Sequence, residues 1–365
     1  MMKRSVNIIG WDNGGGLSRD IALLREVLEA EGCRVFLNRR YCGVQTLSFA
    51  ARAGMRLHAS RFGKAVSRAG VRPPYELNIH LEELQPGYFW LARRNVLIPN
   101  QECFASTSMA HLAGIPEVWA KTRLAHRLFA QLGCAVHMLG WTSEDRRVPG
   151  LTGPKAEVGL HVAGSSTGKG TDAVLDVWGR NPGWPLLRVL RRPHNYFGRT
   201  LPWRERAPVS NIEIVTERMD EETLRRLQSS SALYLCPSEA EGFGHIILEG
   251  MSVGGVIITI DAPPMNELVT PDTGLLAEVE RTEPMGIGKR YFVNHDDLER
   301  KIRRALSMSQ TEREAFGQAA RARFEAIDQA FRVRIKESVN AIFDGRPREP
   351  ADTSIALSQP DAGRD

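Results

Sequence analysis

Residues 232–255 read ALYLCPSEAEGFGHIILEGMSVGG and constrain the fold more than any other stretch of the chain. Residues 232–236 form an apolar run of strand length, Pro237 ends it, and the chain from Ile246 onward reads as a helix. Between them lies the loop Glu241-Gly242-Phe243-Gly244. Its glycines let the backbone approach a ligand closely, and the helix start behind it offers unpaired amides and a positive dipole end. The pattern predicts a strand, a binding loop and a helix.

Two glutamates flank this helix start. Glu241 precedes the helix, and at a rise of ~1.5 Å per residue Glu249 lies ~7.5 Å along its axis. That span suits a nucleotide sugar, with the hexose and diphosphate at the helix start and the ribose beside the helix. Carboxylates accept hydrogen bonds from sugar hydroxyls, so Glu241 could bind the hexose and Glu249 the ribose. The simpler interpretation is an ordinary strand–turn–helix with surface glutamates.

The segment resembles the Glu-x7-Glu signature of retaining glycosyltransferases with the GT-B fold, especially family 4. The resemblance extends through Gly254-Gly255-Val256-Ile257 to Glu267 and is good over residues 157–277. It implies an α/β protein with two Rossmann-like parallel-sheet domains facing a central cleft. It also implies retaining transfer of a hexose from a nucleotide-diphosphate sugar to an acceptor hydroxyl. In this reading the donor contacts next to the first glutamate are Gly242, Phe243, Gly244 and His245.

Length and composition agree with two domains. The chain has 365 residues, of which 42% are hydrophobic, enough for two cores. A short Pro- and Gly-rich linker separates a predicted acceptor domain, residues 1–153, from a predicted donor domain, residues 154–325. The resemblance implies that a last helix, residues 326–343, crosses back to the first domain. Residues 344–365 have few apolar side chains and are predicted to be disordered.

The first domain offers candidate ligand contacts where its predicted strands end. Gly15 and Gly16 belong to a three-glycine loop after the first strand, which in the related fold faces the cleft and can approach donor phosphate. The loop lacks the G-x-G-x-x-G pattern, so a tight turn alone is the alternative. Asn100 and Glu102 follow a later strand and are expected on the acceptor side. His80 is a candidate catalytic group, although a lone histidine at a strand end often serves only as a structural hydrogen bonder.

In the second domain, a polar loop after the first strand carries Ser165 and Lys169, both expected to contact the donor. Lys169 stands at a helix start, where it can neutralise a diphosphate, and it matches the lysine of the family pattern. The family usually has an arginine five positions earlier, where this chain has Gly164. Arg191, after the next strand, could supply the missing charge. Thr216 occupies the place where such enzymes bind the nucleobase.

Several other chemistries lack their motifs. The sequence has no D-x-D motif, no His/Cys spacing typical of zinc and no G-x-S-x-G elbow. We therefore expect no metal and no cofactor besides the nucleotide sugar as co-substrate. The charge on the leaving diphosphate is then met by Lys169, helix-start amides and loop backbone. The resemblance implies that the acceptor hydroxyl attacks from the leaving-group face and gives its proton to the departing phosphate oxygen. After Glu267 the chain is predicted to be mostly helical.

Positive charge is concentrated in the N-terminal half. Residues 1–150 carry 20 Lys and Arg against 12 Asp and Glu, and nine of these cations lie between Glu31 and Glu76 with no acid among them. Residues 52–69 have the pattern of a basic amphipathic helix, which could dock on an anionic membrane holding a lipid-linked acceptor. Packing on its own domain is the alternative. A glycan or small-molecule acceptor stays open, and nucleic acid is not expected because no RNA-reading motif accompanies the basic stretch.

The sequence also bears on location and on rival functions. No apolar run approaches the ~20 residues of a membrane span, the first residues do not resemble a signal peptide, and the five scattered cysteines suggest reduced thiols. We therefore expect a cytoplasmic protein, at most peripheral to the inner face of the membrane. Two rivals remain: a non-catalytic GT-B protein that binds a nucleotide sugar, and a nucleotide-sugar epimerase or phosphorylase. The incomplete cation pair favours the binder, and the intact glutamate pair disfavours it.

Overall fold

The structure, a computed structural model, describes residues 4–41, 70, 72–151, 155–196, 199–201, 203 and 207–345. The chain divides into two compact units. Unit 1 comprises Met1–Trp141, Gly286–Gly288 and the end of the last helix from Gln329 onward, and unit 2 comprises Thr142–Met285 and Lys289–Asp328. The predicted basic helix at 52–69 lies outside the described residues, and so does the predicted disordered tail beyond Gly345.

Unit 1 alternates strands and helices along the chain. Its elements are β1 (Ser5–Asp12), α1 (Gly16–Ala30), β2 (Arg34–Tyr41), β3 (Tyr75–Glu82), β4 (Ala92–Pro99), α2 (Ser106–Met109), β5 (Glu117–Ala120), α3 (Arg123–Gln131) and β6 (Val136–Met138). The strands form one parallel sheet in the order β2-β1-β3-β4-β5-β6. The apolar residues of α1 recur at helical spacing and are buried at Leu17, Ile21, Leu24 and Leu28.

A row of buried asparagines crosses the unit 1 sheet. Asn7 on β1 donates from Nδ2 to Asn78 Oδ1 on β3 at 2.8 Å, and Asn78 Nδ2 donates to Asn95 Oδ1 on β4 at 2.8 Å. Asn78 and Asn95 are register partners, as are Asn7 and Asn78, so the three amides face one another across three strands. Buried polar groups require such partners, and this row therefore ties the register of the strands to their side-chain hydrogen bonds.

Unit 2 repeats the alternation. Its elements are β7 (Ala156–Gly164), α4 (Thr171–Gly179), β8 (Leu187–Arg191), β9 (His194–Tyr196), β10 (Arg199–Leu201), β11 (Ile212–Val215), α5 (Glu221–Ser230), β12 (Ser231–Cys236), α6 (His245–Ser252), β13 (Val256–Ile260), α7 (Met265–Leu268), β14 (Gly274–Ala277), β15 (Val279–Met285), β16 (Gly288–Val293), α8 (His295–Leu306) and the start of α9 (Gln310–Asp344). Its main sheet is parallel in the order β11-β8-β7-β12-β13-β14. Two parallel Rossmann-like sheets confirm the predicted α/β fold class.

Two glycines allow α6 to pack closely on β12. A Cβ at Gly250 would lie 2.8 Å from the Tyr234 ring, and one at Gly255 would lie 2.5 Å from it. Tyr234 is fully buried, so no space remains for larger residues at either position. The glycines that follow Glu249 in the sequence thus make room for an aromatic residue in the neighbouring strand.

Helices α8 and α9 confirm that the chain after Glu267 is mostly helical, but three strands that precede them were not predicted. Strands β14, β15 and β16 occupy much of residues 274–293, and β15 pairs with β16 in a separate two-stranded sheet. The sequence of β15, VERTEPM, hides this strand because its central residues are charged or polar and exposed. A ribbon of two strands without a buried face has no apolar alternation to reveal it.

The long helix α9 begins in unit 2 and ends in unit 1. In unit 2 it buries Phe324, and in unit 1 it buries Phe331, Ile335 and Val339, which recur every four residues. Phe331 meets Trp141 within unit 1, with ring centroids 5.0 Å apart. Among the described helices, α9 included, none contains a segment both apolar and long enough to span a bilayer.

Candidate functional site

The topology of unit 2 brings two loops together. The strand order reverses between β7 and β12, which pair in parallel, so the loops after these strands leave the same edge of the sheet side by side. Such a switch point is where ligands bind in open α/β sheets. The first loop carries Lys169 and the second carries Glu241, far apart in the sequence. The fold thus places both predicted residues at the expected position.

Lys169 and Glu241 form an ion pair, in which the Lys169 ammonium donates to Glu241 Oε1. The side chains are 22% and 10% exposed. They are therefore partly withdrawn from water, where their attraction is stronger than at an open surface, yet both retain contact with solvent. A cation and a carboxylate in contact at a switch point can bind the phosphate and the hydroxyl groups of one ligand.

The Glu241 loop is held in place through Glu239. Its backbone N–H donates to the carbonyl of Gly168 at 2.9 Å, and its carbonyl accepts from the Tyr291 N–H at 2.7 Å. The Glu239 carboxylate also pairs with the Arg290 guanidinium. One residue therefore connects the Lys169 loop, the Glu241 loop and strand β16. Neither Glu239 nor Arg290 was predicted from the sequence, because the strand that carries Arg290 was itself missed.

A buried histidine supports both loops from beneath. His161 on β7 donates from Nδ1 to the Leu235 carbonyl on β12 at 2.7 Å, and its Nε2 accepts from the Thr171 hydroxyl at the start of α4 at 2.9 Å. Burial lowers the pKa of His161 to about 4, so the ring is neutral near pH 7. The neutral ring, with one donor and one acceptor, satisfies both partners.

The Glu241 loop leads into α6 through Gly244. Gly244 caps the helix with φ +116°, a conformation that favours glycine, and its carbonyl accepts from the Ile247 N–H at 3.1 Å. The first-turn amides of a helix point away from its body and can bind an anion. Beside them, His245 Nδ1 lies 2.7 Å from Ser143 Oγ. Phe243 is only 4% exposed, so we expect its contribution to the donor to come from its backbone.

Glu249 lies on α6 but is fully buried. Its Oε2 accepts a hydrogen bond from Gln228 Nε2 on α5 at 2.7 Å, and Gln228 Oε1 accepts from Arg146 Nε at 2.6 Å. The predicted contact with ribose therefore requires that the carboxylate become accessible when a nucleotide binds. Sequence analysis missed Arg146 and Gln228. In the sequence each of them is a single polar residue that belongs to no motif, so nothing marks it as part of a site.

The remaining predicted donor residues of unit 2 lie around the same edge of the sheet. Arg191 ends β8 directly opposite Gly164 in the register, and its guanidinium stacks over the Trp203 ring at 5.1 Å. The position that lacks the family arginine thus has an arginine on the neighbouring strand. Ser165 is exposed in the Lys169 loop, and Thr216 is exposed after β11, two strands away from β7.

The predicted residues of unit 1 lie at strand ends of that unit. Gly15 caps α1 and Gly16 begins it, and the Gly15 N–H donates to Asn13 Oδ1 at 2.8 Å. Asn100 follows β4 and accepts from Lys121 Nζ at 3.0 Å, and Glu102 lies two residues on, partly buried.

His80 is fully buried, and both of its ring nitrogens are engaged. Nδ1 accepts from the Gln85 N–H at 3.3 Å, and Nε2 lies 3.2 Å from Asn95 Oδ1, which can accept its proton. Burial lowers the pKa of His80 to about 4, so this ring too is neutral near pH 7. A catalytic role for His80 stays a prediction, and the mechanism proposed below does not use it.

One segment of the chain matches a known family. Residues 205–323, which include Glu241 and Glu249, match the family model "Glycosyl transferases group 1". Comparison with curated proteins finds no significant match.

Solved structures with the same fold cover nearly the whole chain. Sucrose-phosphate synthase from Thermosynechococcus elongatus is 15% identical with a TM-score of 0.68, over 94% of this chain and 100% of that one. An Anabaena protein in complex with UDP and glucose is 14% identical with a TM-score of 0.61, over 94% and 100% of the two chains. The trehalose-6-phosphate protein from E. coli bound with UDP-2-fluoro glucose is 11% identical with a TM-score of 0.65, over 94% and 100%.

These likenesses concern the fold, while the family model covers the segment that contains Glu241 and Glu249, the two glutamates of the signature. The two findings agree with each other and with the resemblance seen in the sequence. Residues 205–323 match the group 1 glycosyl transferases, and the chain as a whole has the GT-B fold.

Proposed function

We propose that the protein transfers a hexose, with retention and without a metal, from a nucleotide-diphosphate sugar to an acceptor hydroxyl. The observation that carries this proposal is the Lys169–Glu241 ion pair at the switch point of unit 2, whose residues 205–323 match the group 1 glycosyl transferases. The pair combines a donor for phosphate oxygens with an acceptor for sugar hydroxyls. A nucleotide sugar presents both kinds of group within a few ångströms.

Each residue has a distinct role in the proposed donor site. Glu241 accepts hydrogen bonds from hexose hydroxyls, and Lys169 pairs with the diphosphate once the ligand replaces its present partner. The first-turn amides of α6 add donors for phosphate oxygens. Arg191 supplies a second cation from β8, opposite Gly164. Gly242, Phe243, Gly244 and His245 offer backbone groups to the donor. Ser165 contacts the donor from the Lys169 loop, and Thr216 binds the nucleobase at the end of β11.

The proposed reaction needs no protein nucleophile. The bond between the anomeric carbon and the phosphate oxygen breaks as a bond from the acceptor oxygen to the same carbon forms on the same face. The acceptor proton passes to the departing phosphate oxygen. The positive charge of Lys169 and the α6 amides stabilise the negative charge that develops on the diphosphate, which is where fixed donors accelerate a reaction most.

Glu249 is proposed to hold the ribose through its carboxylate. Gln228 donates an amide N–H to Oε2 of Glu249, and a ribose hydroxyl would donate to the carboxylate in the same way.

We propose UDP-sugars as the first donors to test, because the Anabaena and E. coli structures were solved with UDP and UDP-2-fluoro glucose. The acceptor is proposed to be a glycan, a lipid-linked sugar or a small molecule, and Asn100 and Glu102 are proposed to contact it.

We further propose a cytoplasmic location with peripheral contact to an anionic membrane surface. The scattered cysteines and the excess of cations in residues 1–150 support this. Cys33, Cys103, Cys134 and Cys236 all carry free thiols.

The decisive experiment measures release of nucleoside diphosphate from UDP-, GDP- and ADP-sugars with a panel of acceptors, in excess EDTA. The proposal predicts acceptor-dependent release that EDTA does not abolish. Tight binding without turnover would identify a non-catalytic binder. Conversion of the sugar on an intact nucleotide sugar would identify an epimerase. Formation of a sugar phosphate that depends on added phosphate would identify a phosphorylase. Loss of activity in EDTA that manganese restores would overturn metal independence.

A further inference from the structure

Three side chains without solvent exposure form a continuous polar chain in unit 2. Arg146, Gln228 and Glu249 each have 0% of their surface exposed. Arg146 Nε donates to Gln228 Oε1 at 2.6 Å, and Gln228 Nε2 donates to Glu249 Oε2 at 2.7 Å. A buried cation and a buried anion are therefore joined by one amide. The proposed reaction does not itself use Arg146 or Gln228.

The direction of the hydrogen bonds from Arg146 through Gln228 to Glu249 is fixed by the chemistry of the three groups. A guanidinium only donates hydrogen bonds, and an ionised carboxylate only accepts them. The Gln228 amide must therefore turn its oxygen to Arg146 and its nitrogen to Glu249, as it does. The backbone carbonyl of Gln228 accepts a hydrogen bond from the Tyr234 hydroxyl, so the backbone that carries the amide is also held in place. The negative end of the amide dipole faces Arg146 and its positive end faces Glu249. The amide therefore stabilises both charges, and each hydrogen bond strengthens the other.

Charge balance requires a cation near Glu249. An isolated buried carboxylate is strongly disfavoured unless a charge or several donors compensate it. Although burial lowers the pKa of Arg146, the charges of Glu249, Glu221 and Glu144 outweigh this effect and raise the pKa above its ordinary value. Arg146 also contacts Glu144 and Glu221 through Nη1. These two carboxylates are largely exposed, so Arg146 connects the buried carboxylate to partners at the surface.

The amide spacer matters for ligand binding. A direct Arg–carboxylate pair is often bidentate and occupies both carboxylate oxygens. Here Gln228 occupies Oε2, and the cation acts from the far side of the amide. A second link runs through Ser252, whose Oγ donates to the Glu249 carbonyl at 2.7 Å and accepts from the Arg146 N–H at 3.0 Å. Arg146 is thus linked to α6 directly through its backbone, and indirectly through its side chain by way of Gln228 on α5.

We propose that Arg146 is a positioning residue for the nucleotide, which acts through Gln228 to orient Glu249 and to compensate its charge. This inference rests on the proposed function, in which Glu249 binds the ribose. Arg146 itself touches no substrate. Its removal changes the orientation of Glu249, whereas removal of a purely structural arginine would change only the stability of the fold.

The test measures nucleoside diphosphate affinity by calorimetry. We expect Arg146→Met to weaken binding about tenfold, as for loss of a hydrogen bond to a charged group. Gln228→Leu, which removes the hydrogen bonds that join Arg146 to Glu249 but keeps both charges, should weaken binding as well. Arg147→Met, at the exposed neighbouring position, is the matched control.

A second comparison uses the Glu249→Gln background, where Arg146→Met should no longer add a loss of affinity, whereas an arginine that supports only the fold would act equally in both backgrounds. The conservative Arg146→Lys, which retains the charge, should recover part of the affinity and tests the case in which the methionine variant folds poorly. Equal affinity of the parent and Gln228→Leu would overturn the inference, as would an undiminished effect of Arg146→Met in the Glu249→Gln background. A parent that binds no nucleoside diphosphate would overturn the proposed function itself, and with it any nucleotide role of Arg146.

Discussion

Gly170 shows how one residue sets the distance between the two donor loops. It caps α4 with φ +67°, and a Cβ there would lie 2.2 Å from the Pro237 carbonyl oxygen, backbone that cannot move aside alone. We expect Gly170→Ala to lower the free energy of unfolding by about 2 kcal/mol or more, from the left-handed conformation and the clash together. Urea denaturation measures this. Gly183→Ala, which meets no atom within 4 Å, should change stability by less than about 0.5 kcal/mol.

Lys169 and Glu241 touch each other, but the proposed roles separate them in kinetics. Lys169→Met should weaken nucleoside diphosphate binding and lower kcat by about 10²-fold, because the charge on the leaving diphosphate loses its nearest cation. Glu241→Ala should lower kcat while leaving nucleoside diphosphate affinity nearly unchanged, since its proposed partner is the sugar. Calorimetry and initial rates distinguish the two. Equal loss of nucleotide affinity in both variants would contradict the division of roles.

His161 and His80 make stability depend on pH. Both are buried and neutral, with pKa values of about 4 against an ordinary 6.5. Between these values the unfolded chain binds the protons and the folded chain does not, so stability is complete above pH 6.5 and falls as pH drops toward 4. Each histidine contributes on the order of 3 kcal/mol to this loss. In urea titrations across that range, His161→Gln should show a shallower dependence than the parent, and an unchanged slope would refute the assignment.

At the scale of elements, the sheet that carries the site also depends on an exposed ribbon. Arg290 on β16 pairs with Glu239, whose side chain is 14% exposed. We expect Arg290→Leu to cost roughly 1–3 kcal/mol, because a half-desolvated carboxylate loses its cation, and to lower kcat through a loosened Glu241 loop. Lys289→Leu on β16 is the matched control, since Lys289 is an exposed cation next to Arg290 in the same strand. Equal kcat in the two variants would show that the ribbon does not support the loop.

The elements that sequence analysis predicted well are those with local signals. Strand β12, the glycine loop and helix α6 follow from an apolar run, a proline and two glycines, and the structure confirms them. Strands β15 and β16 escaped because charged residues on an exposed ribbon carry no apolar period. The row of asparagines at Asn7, Asn78 and Asn95 escaped for another reason. Their side-chain amides form hydrogen bonds to one another across the strands, whereas in the sequence each is only a polar residue within an apolar strand.

The same contrast applies to the site. Lys169 and Glu241 were predicted because their motifs are local, and the parallel pairing of β7 with β12 brings them together. Arg146 and Gln228 could not be predicted, because their significance lies in contacts to a residue on another helix. Burial of Glu249 could not be predicted either, since an acidic residue in a helix is exposed more often than not. Long-range packing therefore decides which polar residues support the site.

Charge is divided unevenly along the chain. Residues 1–150 hold the excess of Lys and Arg, whereas Asp and Glu exceed them in the remainder. Each cation near an anionic surface contributes ~1 kcal/mol, and the attraction is screened as the Debye length falls from about 10 Å at 0.1 M salt to about 3 Å at 1 M. The full chain should therefore pellet with anionic but not neutral liposomes at low salt. Replacing Arg56, Arg61 and Lys64 with Glu should release it. A parent that stays in the supernatant with anionic vesicles would instead indicate a soluble acceptor.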